Sequence, residues 1–312
     1  MAIDYSACAQ WLRERDEFLI LTHVRPDGDT VGSAGALCAA LRSLGKTAYL
    51  FDNPQFTDKY GVYTKEFLAP KDFAASYNIA VDTASRDMCA QGFEGEVALC
   101  IDHHMSNSFY AGETLLRDLA SCGEVIFELL LELGVNVTPQ MAELLYIAIS
   151  TDTGCFCYGN TRAETLAAAS ELARLGADIA ALNKLLFRTS SVARIALEGM
   201  IFSGIKMYGE GRIATALITL DMLERANAVE DDCEDLANLP GRIEGVLASV
   251  TLRETAPNEQ KISLRSSSAV NASDVCARFG GGGHAAAAGC TINATPEQAL
   301  EKIVAALMET LP

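Results

Sequence analysis

FLILTHVRPDGDTVGSAGALCAALRSLG, residues 18–45, sets the reading of the fold. FLILTH is an apolar run of strand length and PDGD is a turn. After it Val31, Ala34, Leu37, Cys38, Leu41 and Leu44 recur at helical spacing until Gly45 stops the pattern. Strand, loop and helix in that order open a strand-helix-strand unit, and TAYLFDN (47–53) supplies its second strand. NIAVDTAS (78–85) and EVALCIDHH (96–104) read as two more strands, each apolar until it meets an aspartate at its C-terminal end. Helices are expected over 121–134, over 138–150 with Thr138 as N-cap and Pro139 at N1, and over 162–175 behind a capping box of Thr161 and Glu164. Alternation of this kind predicts an α/β domain with a doubly wound parallel sheet.

Beyond about residue 178 the grammar changes. A helical stretch over 178–207 has no strand partner and reads as a connection. RIATALIT (212–219), GVLASVTLRE (245–254) and KISLRSS (261–267) follow as strands, the last two forming a hairpin across TAPNEQ. A helix over 273–279, a strand AAAAGCTI (285–292) and a final helix capped at Thr295 complete a smaller α/β domain with a mixed sheet. The expected domains are therefore 1–185, a helical linker 186–210, and 211–312.

The chain has 312 residues, half of them apolar, and 24 Lys+Arg against 41 Asp+Glu, a net charge of −17. That composition supports packed cores, and its acidity excludes holding a long polyanion by bulk attraction. A phosphate substrate would need a local basic patch or bound metal. Ten cysteines without C-x-x-C spacing, many inside apolar runs, read as reduced thiols. A charged N-terminus and no run of about 18 apolar residues predict a cytoplasmic protein with no membrane partner.

Chemistry concentrates at the predicted strand ends. His23, Asp27 and Asp29 sit in THVRPDGD, where Pro26 and Gly28 force a turn that can gather imidazole and carboxylates around manganese, iron or zinc. The plainer alternative is a helix entry with Asp29 as N-cap. Asp82 closes the third strand, where a turn residue is the alternative. Asp102, His103 and His104 close the fourth, and adjacent imidazoles there point different ways. Asp152 ends the 138–150 helix, where its charge opposes the dipole and calls for a cation. His23, Asp27, Asp29, Asp82, His103 and Asp152 together make six ligands, enough for two divalent ions set for in-line displacement at phosphorus. In the second domain, Gly280 to Gly283 and His284 follow a helix; four glycines allow backbone N–H groups to approach an anion, or simply make a flexible hinge. Arg265, in a locally basic segment, favours the anion.

The motifs THVRPDGDTVGS, AVDTAS, CIDHH, STDTG and SLRSSSAVNASDVCARFGGGGHAAAAG, in this order over residues 15–295, closely resemble the DHH phosphoesterase superfamily with its GGGH-bearing associated domain, in the nanoRNase and pAp phosphatase branch. The resemblance implies that His23, Asp27 and Asp82 hold one manganese ion and Asp29, Asp82, His103 and Asp152 a second, with Asp82 bridging. Fe2+, Co2+ or Mg2+ are the alternatives to Mn2+. It implies hydroxide attack on phosphorus, His104 at the scissile phosphate, and Asp102 orienting the histidines. Arg265, Ser266, Gly281, Gly282, Gly283 and His284 would grip the distal nucleotide or phosphate. The expected partners are short RNA oligonucleotides, dinucleotides and pAp, with no long duplex nucleic acid; a homodimer is left open. Where the family often has a basic residue after its GGGH, Ala285 to Ala288 run uninterrupted, removing one expected phosphate contact. The alternatives are a cyclic or linear dinucleotide phosphodiesterase acting on c-di-AMP or pApA, and a non-catalytic nucleotide-binding regulator.

Overall fold

The computed structural model describes residues 1–233 and 235–311. Its chain divides into two units, Met1–Thr189 and Ser190–Pro312. In chain order the first contains β1 (Ala2–Ile3), α1 (Tyr5–Arg13), β2 (Phe18–Leu21), α2 (Gly28–Ser43), β3 (Ala48–Leu50), α3 (Asp58–Gly61), β4 (Tyr77–Val81), β5 (Leu99–Asp102), β6 (Glu113–Leu116), α4 (Cys122–Glu132), α5 (Pro139–Asp152), α6 (Ala163–Arg174) and α7 (Ile179–Phe187). The strands pair in the order β1-β6-β5-β4-β2-β3, every pair parallel. From β2 the chain steps outward to β3 and then returns to place β4 on the other side. Strand order therefore reverses at β2 and β4, the position where open α/β sheets form a ligand crevice at the C-terminal strand ends.

Phe18, Ile20, Leu21, Ile79, Leu99, Ile101 and Leu115 are fully buried, each worth about 1.5–3 kcal/mol of transfer from water. The helix α2 is buried along most of its length and has little amphipathic character, because it is covered on several sides. It reaches α5 closely at two glycines: a Cβ on Gly32 would lie 2.2 Å from the Leu144 carbonyl oxygen, and one on Gly28 would lie 2.5 Å from the Thr151 side chain. These approaches bring the N-terminus of α2 and the C-terminus of α5 to one place.

The second unit contains α8 (Val192–Gly204), β7 (Lys206–Tyr208), β8 (Ile213–Ile218), α9 (Leu220–Ala226), β9 (Ala248–Ala256), β10 (Glu259–Ser266), α10 (Ala272–Ala277), β11 (Gly282–Gly283), β12 (Ala287–Asn293) and α11 (Pro296–Met308). Its sheet runs β11-β12-β10-β9-β8-β7 and is mixed: β8 and β9 are parallel and the other pairs antiparallel. The hairpin β9–β10 turns at Pro257 and Asn258, the latter at a φ of +62°.

Several local expectations shift. The stretch 186–210 is not a separate linker in its packing: α7 belongs to the first unit, while α8 buries Leu197 and Ile201 against Ala216, Ile218 and Leu236 of the second. Residues 206 and 207, expected at the end of a helix, belong with Tyr208 to the edge strand β7. The N-cap of α2 is Asp27, which accepts from the Asp29 and Thr30 N–H groups, rather than Asp29. The N-cap of α6 is Arg162, whose N–H donates to the Thr165 hydroxyl at 3.2 Å, so the box lies one residue later than Thr161 and Glu164. β1 and β6 were not expected, since two and four residues are too few to show a period. Among the described residues no helix is long and apolar enough to cross a membrane.

Candidate metal centre

Three neighbouring strand ends build the centre. His23 follows β2, Asp82 follows β4, and Asp102, His103 and His104 close and follow β5. Asp27 and Asp29 arrive at the start of α2, and Asp152 at the last residue of α5. The backbone holds these ends in register: Asp82 N–H donates to the Ile101 carbonyl, and the Thr30 hydroxyl donates to the Val81 carbonyl at 3.1 Å. Asp82 itself sits at a φ of +57°. For a non-glycine residue the left-handed region costs about 1 kcal/mol or more and persists where the surroundings impose it.

The donor atoms converge on Asp82. His23 Nε2 lies 3.5 Å from Asp27 Oδ1 and 3.6 Å from Asp82 Oδ2. His103 Nε2 lies 3.5 Å from Asp82 Oδ1, 3.7 Å from Asp29 Oδ2 and 3.7 Å from Asp152 Oδ2. These separations are too long for hydrogen bonds. They are close to the roughly 3.0–3.5 Å between two donors that each stand about 2.1 Å from a common ion. His23, Asp27 and Asp82 form one group that could hold a metal ion, and Asp29, His103 and Asp152 another; Asp82, His103 and His104 form a third, overlapping set. No cysteine enters any of them.

The surroundings aim these donors. His23 Nδ1 is 2.8 Å from the Val24 carbonyl and His103 Nδ1 is 3.1 Å from the Leu119 carbonyl. A carbonyl only accepts, so both Nδ1 atoms carry hydrogen and both Nε2 atoms face the carboxylates. Asp29, fully buried in effect, accepts from the N–H groups of Cys122 and Gly123 at the start of α4, at 2.7 and 2.9 Å, and from the Ser33 hydroxyl at 3.0 Å. A helix N-terminus favours a carboxylate there. By contrast Asp82 Oδ1 is buried and accepts no hydrogen bond. An orphaned carboxylate oxygen inside a ring of imidazoles and acids is the arrangement a bound cation completes.

Electrostatics agrees with this reading. Burial pulls the imidazole of His23 down, yet Asp27 and Asp82 outweigh it and leave the pKa raised to about 9. Burial likewise pulls the His103 imidazole down, yet Asp82, Asp29 and Asp152 outweigh it and leave the pKa raised to about 10. Burial, with Asp82 and Asp152 nearby, raises Asp29 well above the carboxylate range despite its three donors. Asp152 is pushed up to about 6 by burial and by Asp82 and Asp27, with His103 working against them. Without a cation, the site draws positive charge as protons, and a divalent ion held by these residues would supply that charge in their place.

His104 is set apart. Its Nδ1 donates to Asp102 Oδ1 at 2.8 Å, so its Nε2 remains for another partner, and its side chain is 36% exposed. Asp102 is buried and also accepts from the backbone N–H groups of His103 and His104. Burial disfavours its charge, but His104 and Asn107 more than compensate and hold its pKa below the usual range.

In the second unit Arg265, Gly282 and Gly283 line an open groove of about 530 Å³ with Lys261 and Ser263. Arg265 Nε donates to Asn238 Oδ1 at 3.2 Å and its Nη1 to the Leu264 carbonyl. The Ser266 hydroxyl donates to the Ala285 carbonyl at 3.0 Å. The glycine segment is more ordered than a hinge: Gly282 and Gly283 pair with β12, and a Cβ on Gly281 would lie 2.1 Å from the Gly289 carbonyl oxygen. The N–H groups of Gly280, Gly281 and His284 already donate to Ala277, Cys276 and Ala287. His284 stands exposed at the hairpin tip.

Polar residues that the sequence reading did not single out hold the first unit's centre. Asn53 donates to the Thr22 hydroxyl and the His23 carbonyl, both at 2.9 Å. Asn160 donates to the carbonyls of Ala120 and Asp152. Asn107 donates to Asp102 Oδ2 at 2.7 Å. A loop asparagine after a strand reads as a turn residue, and nothing in its local sequence says which neighbours it binds.

Residues 17–149 match the DHH family N-terminal domain and residues 212–311 the DHHA1 domain. The chain is 33% identical over 302 residues to the bifunctional oligoribonuclease and PAP phosphatase NrnA of Thermus thermophilus, covering 94% of this chain and 89% of that one. It is 30% identical over 305 residues to NrnA of Bacillus subtilis, covering 95% of each. An exopolyphosphatase-related protein from Bacteroides fragilis superposes with a TM-score of 0.87 at 26% identity, over 98% of this chain and 95% of that one. RecJ of Thermus thermophilus, at a TM-score of 0.54 and 16% identity over 99% of this chain and 55% of that one, shares the fold. With both domains matched in order and NrnA relatives aligned along nearly the whole length, this chain belongs to the DHH phosphoesterase family, in its NrnA-like, DHHA1-bearing branch.

Proposed function

We propose that this chain is a manganese-dependent phosphohydrolase that cuts short oligoribonucleotides and dinucleotides to mononucleotides and removes phosphate from pAp. The observation that carries the reading is the convergence of His23, Asp27 and His103 on Asp82, whose buried Oδ1 accepts no hydrogen bond, with Asp29 and Asp152 gathered around the same His103 Nε2. NrnA relatives named for both activities supply the substrate class.

In this reading His23, Asp27 and Asp82 hold one ion, and Asp29, Asp82, His103 and Asp152 a second. Divalent ions there supply Lewis acidity and neutralise charge gathering on the phosphoryl oxygens. The chain's own residues do the rest. Asp102 fixes the His104 ring, and His104 presents Nε2 to the scissile phosphate or to the departing oxygen. Arg265, with Ser266, Gly281, Gly282, Gly283 and His284, binds a substrate phosphate or nucleotide, the guanidinium offering a fork to phosphate oxygens. Four site aspartates contribute −4 to the net charge of −17, and two divalent ions would offset them. The remaining acidity disfavours long nucleic acids and leaves short ones, held by specific contacts.

Rates measured side by side with Mn2+ on pAp, on RNA of two to five nucleotides and on cyclic di-AMP test the proposal. Turnover of pAp and short RNA well above that of cyclic di-AMP is expected. Hydrolysis of cyclic di-AMP alone would replace this reading with that of a dinucleotide phosphodiesterase.

A further inference from the structure

Asn107 lies three residues beyond His104 in a loop and is 6% exposed. Its amide is fully committed. Oδ1 accepts from the Phe109 N–H at 2.8 Å, which fixes the orientation of the group and turns Nδ2 toward its acceptors. One Nδ2 hydrogen meets Asp102 Oδ2 at 2.7 Å and the other faces the Thr83 carbonyl at 3.3 Å, with Cys100 Sγ at 3.6 Å. The Asn107 N–H closes a turn onto the His104 carbonyl at 2.9 Å, and Ser108 is tied to Ala84 by its N–H at 2.8 Å.

The consequence falls on Asp102. Its Oδ1 accepts from His104 Nδ1 and from two backbone N–H groups, whereas Oδ2 takes its hydrogen bond from Asn107. The two oxygens share one torsion. Holding Oδ2 against a side chain anchored to Thr83 therefore sets the plane of the carboxylate, and that plane sets the direction in which Oδ1 receives the imidazole. A carboxylate that can rotate leaves the ring of His104 free to swing, and a partly exposed ring has room to do so.

We propose that Asn107 is a positioning residue for the reaction: by locking the Asp102 carboxylate through Oδ2, it fixes the ring of His104 at the reacting phosphate. The inference rests on the role given to His104 under the proposed function. Residues of this kind behind a catalytic or ligating histidine are typically worth about 10–100-fold in activity.

A double-mutant cycle on the metal-loaded enzyme with pAp tests it, using Asn107→Ala, His104→Ala and the pair. The expected result is a fall in kcat of about 10–100-fold for Asn107→Ala with KM changed by no more than about threefold. In the His104→Ala background the same substitution should cost at most about twofold more, because a residue that acts through His104 has nothing left to position. Thermal denaturation of each variant checks that it is folded. If Asn107→Ala does not fold, Asn107→Ser, which keeps a short donor, is taken through the same cycle with the same two outcomes. Losses that multiply, or an unchanged kcat in a folded Asn107 variant, would overturn the inference while leaving the role of His104 intact. A His104→Ala enzyme with normal kcat would overturn both, and so separates the two failures.

Discussion

Replacing Gly32 by alanine probes the packing that brings the two helix-borne carboxylates of the centre together. Asp29 stands in the first turn of α2 and Asp152 at the end of α5, and the helices approach each other where Gly32 faces Leu144 and Ala148. A Cβ at position 32 would lie 2.2 Å from the Leu144 carbonyl oxygen and 2.9 Å from the Ala148 nitrogen, whereas contacts under 3.0 Å are essentially never seen. The helices must therefore part by at least about 0.8 Å, and the obstacle is backbone, which cannot rotate aside. Overpacking of this kind costs about 1–3 kcal/mol. The better helix propensity of alanine returns roughly 0.5–1 kcal/mol. A net loss of up to about 2.5 kcal/mol should lower the Tm of the first unit by up to about 10 °C. Because the displacement pulls Asp29 away from Asp152, kcat on pAp should fall by as much as about 100-fold. Gly199→Ala, on α8 with nothing within 4 Å of the added Cβ, is the control and should be neutral or slightly stabilising. Unchanged Tm and unchanged kcat in Gly32→Ala would refute the argument that this helix contact builds the centre.

Arg265→Ala should raise KM for pAp and dinucleotides by more than it lowers kcat, as expected for lost substrate binding; unaltered KM would remove Arg265 from the substrate site. In protein stripped of metal, Asp152 has a folded pKa of about 6 against an unfolded value near 4. The folded state then binds the extra proton, so this group stabilises at pH below 4 and its contribution is lost as pH rises through 6. Denaturant titrations of the stripped protein should show stability falling across that window, and Asp152→Asn should flatten the slope; a slope that survives the substitution assigns the effect elsewhere.

The parallel sheet was legible because two of its strands are apolar until they meet Asp82 and Asp102, and because α2 shows a long helical run behind a turn. That His23, Asp82 and His103 lie at adjacent strand ends could be inferred only from the fold class, since strand order is not written in any local pattern. The positions of the proposed ligands are legible from residue type and from family motifs. Their aim is not: the carbonyls of Val24 and Leu119 that turn the imidazoles, and the start of α4 that holds Asp29, are remote backbone groups with no sequence signature. Asn107 escaped for the same reason. The glycine segment was read as either an anion loop or a hinge, and its conversion into a short strand against β12 depends on a pairing that four glycines do not announce. Helix α8 looked partnerless because the surfaces that bury Leu197 and Ile201 are contributed by strands and turns farther along the chain.

The central claim is that Asp82 joins two metal ions into one hydrolytic centre. The most direct measurement is the metal content of purified enzyme loaded with Mn2+ and freed of excess, taken together with turnover of pAp, for the natural chain and for Asp82→Asn. The account predicts two equivalents per chain with turnover in the natural protein, and loss of metal together with turnover in Asp82→Asn. Two retained equivalents and undiminished turnover in Asp82→Asn, or full turnover in thoroughly chelated natural protein, would contradict it.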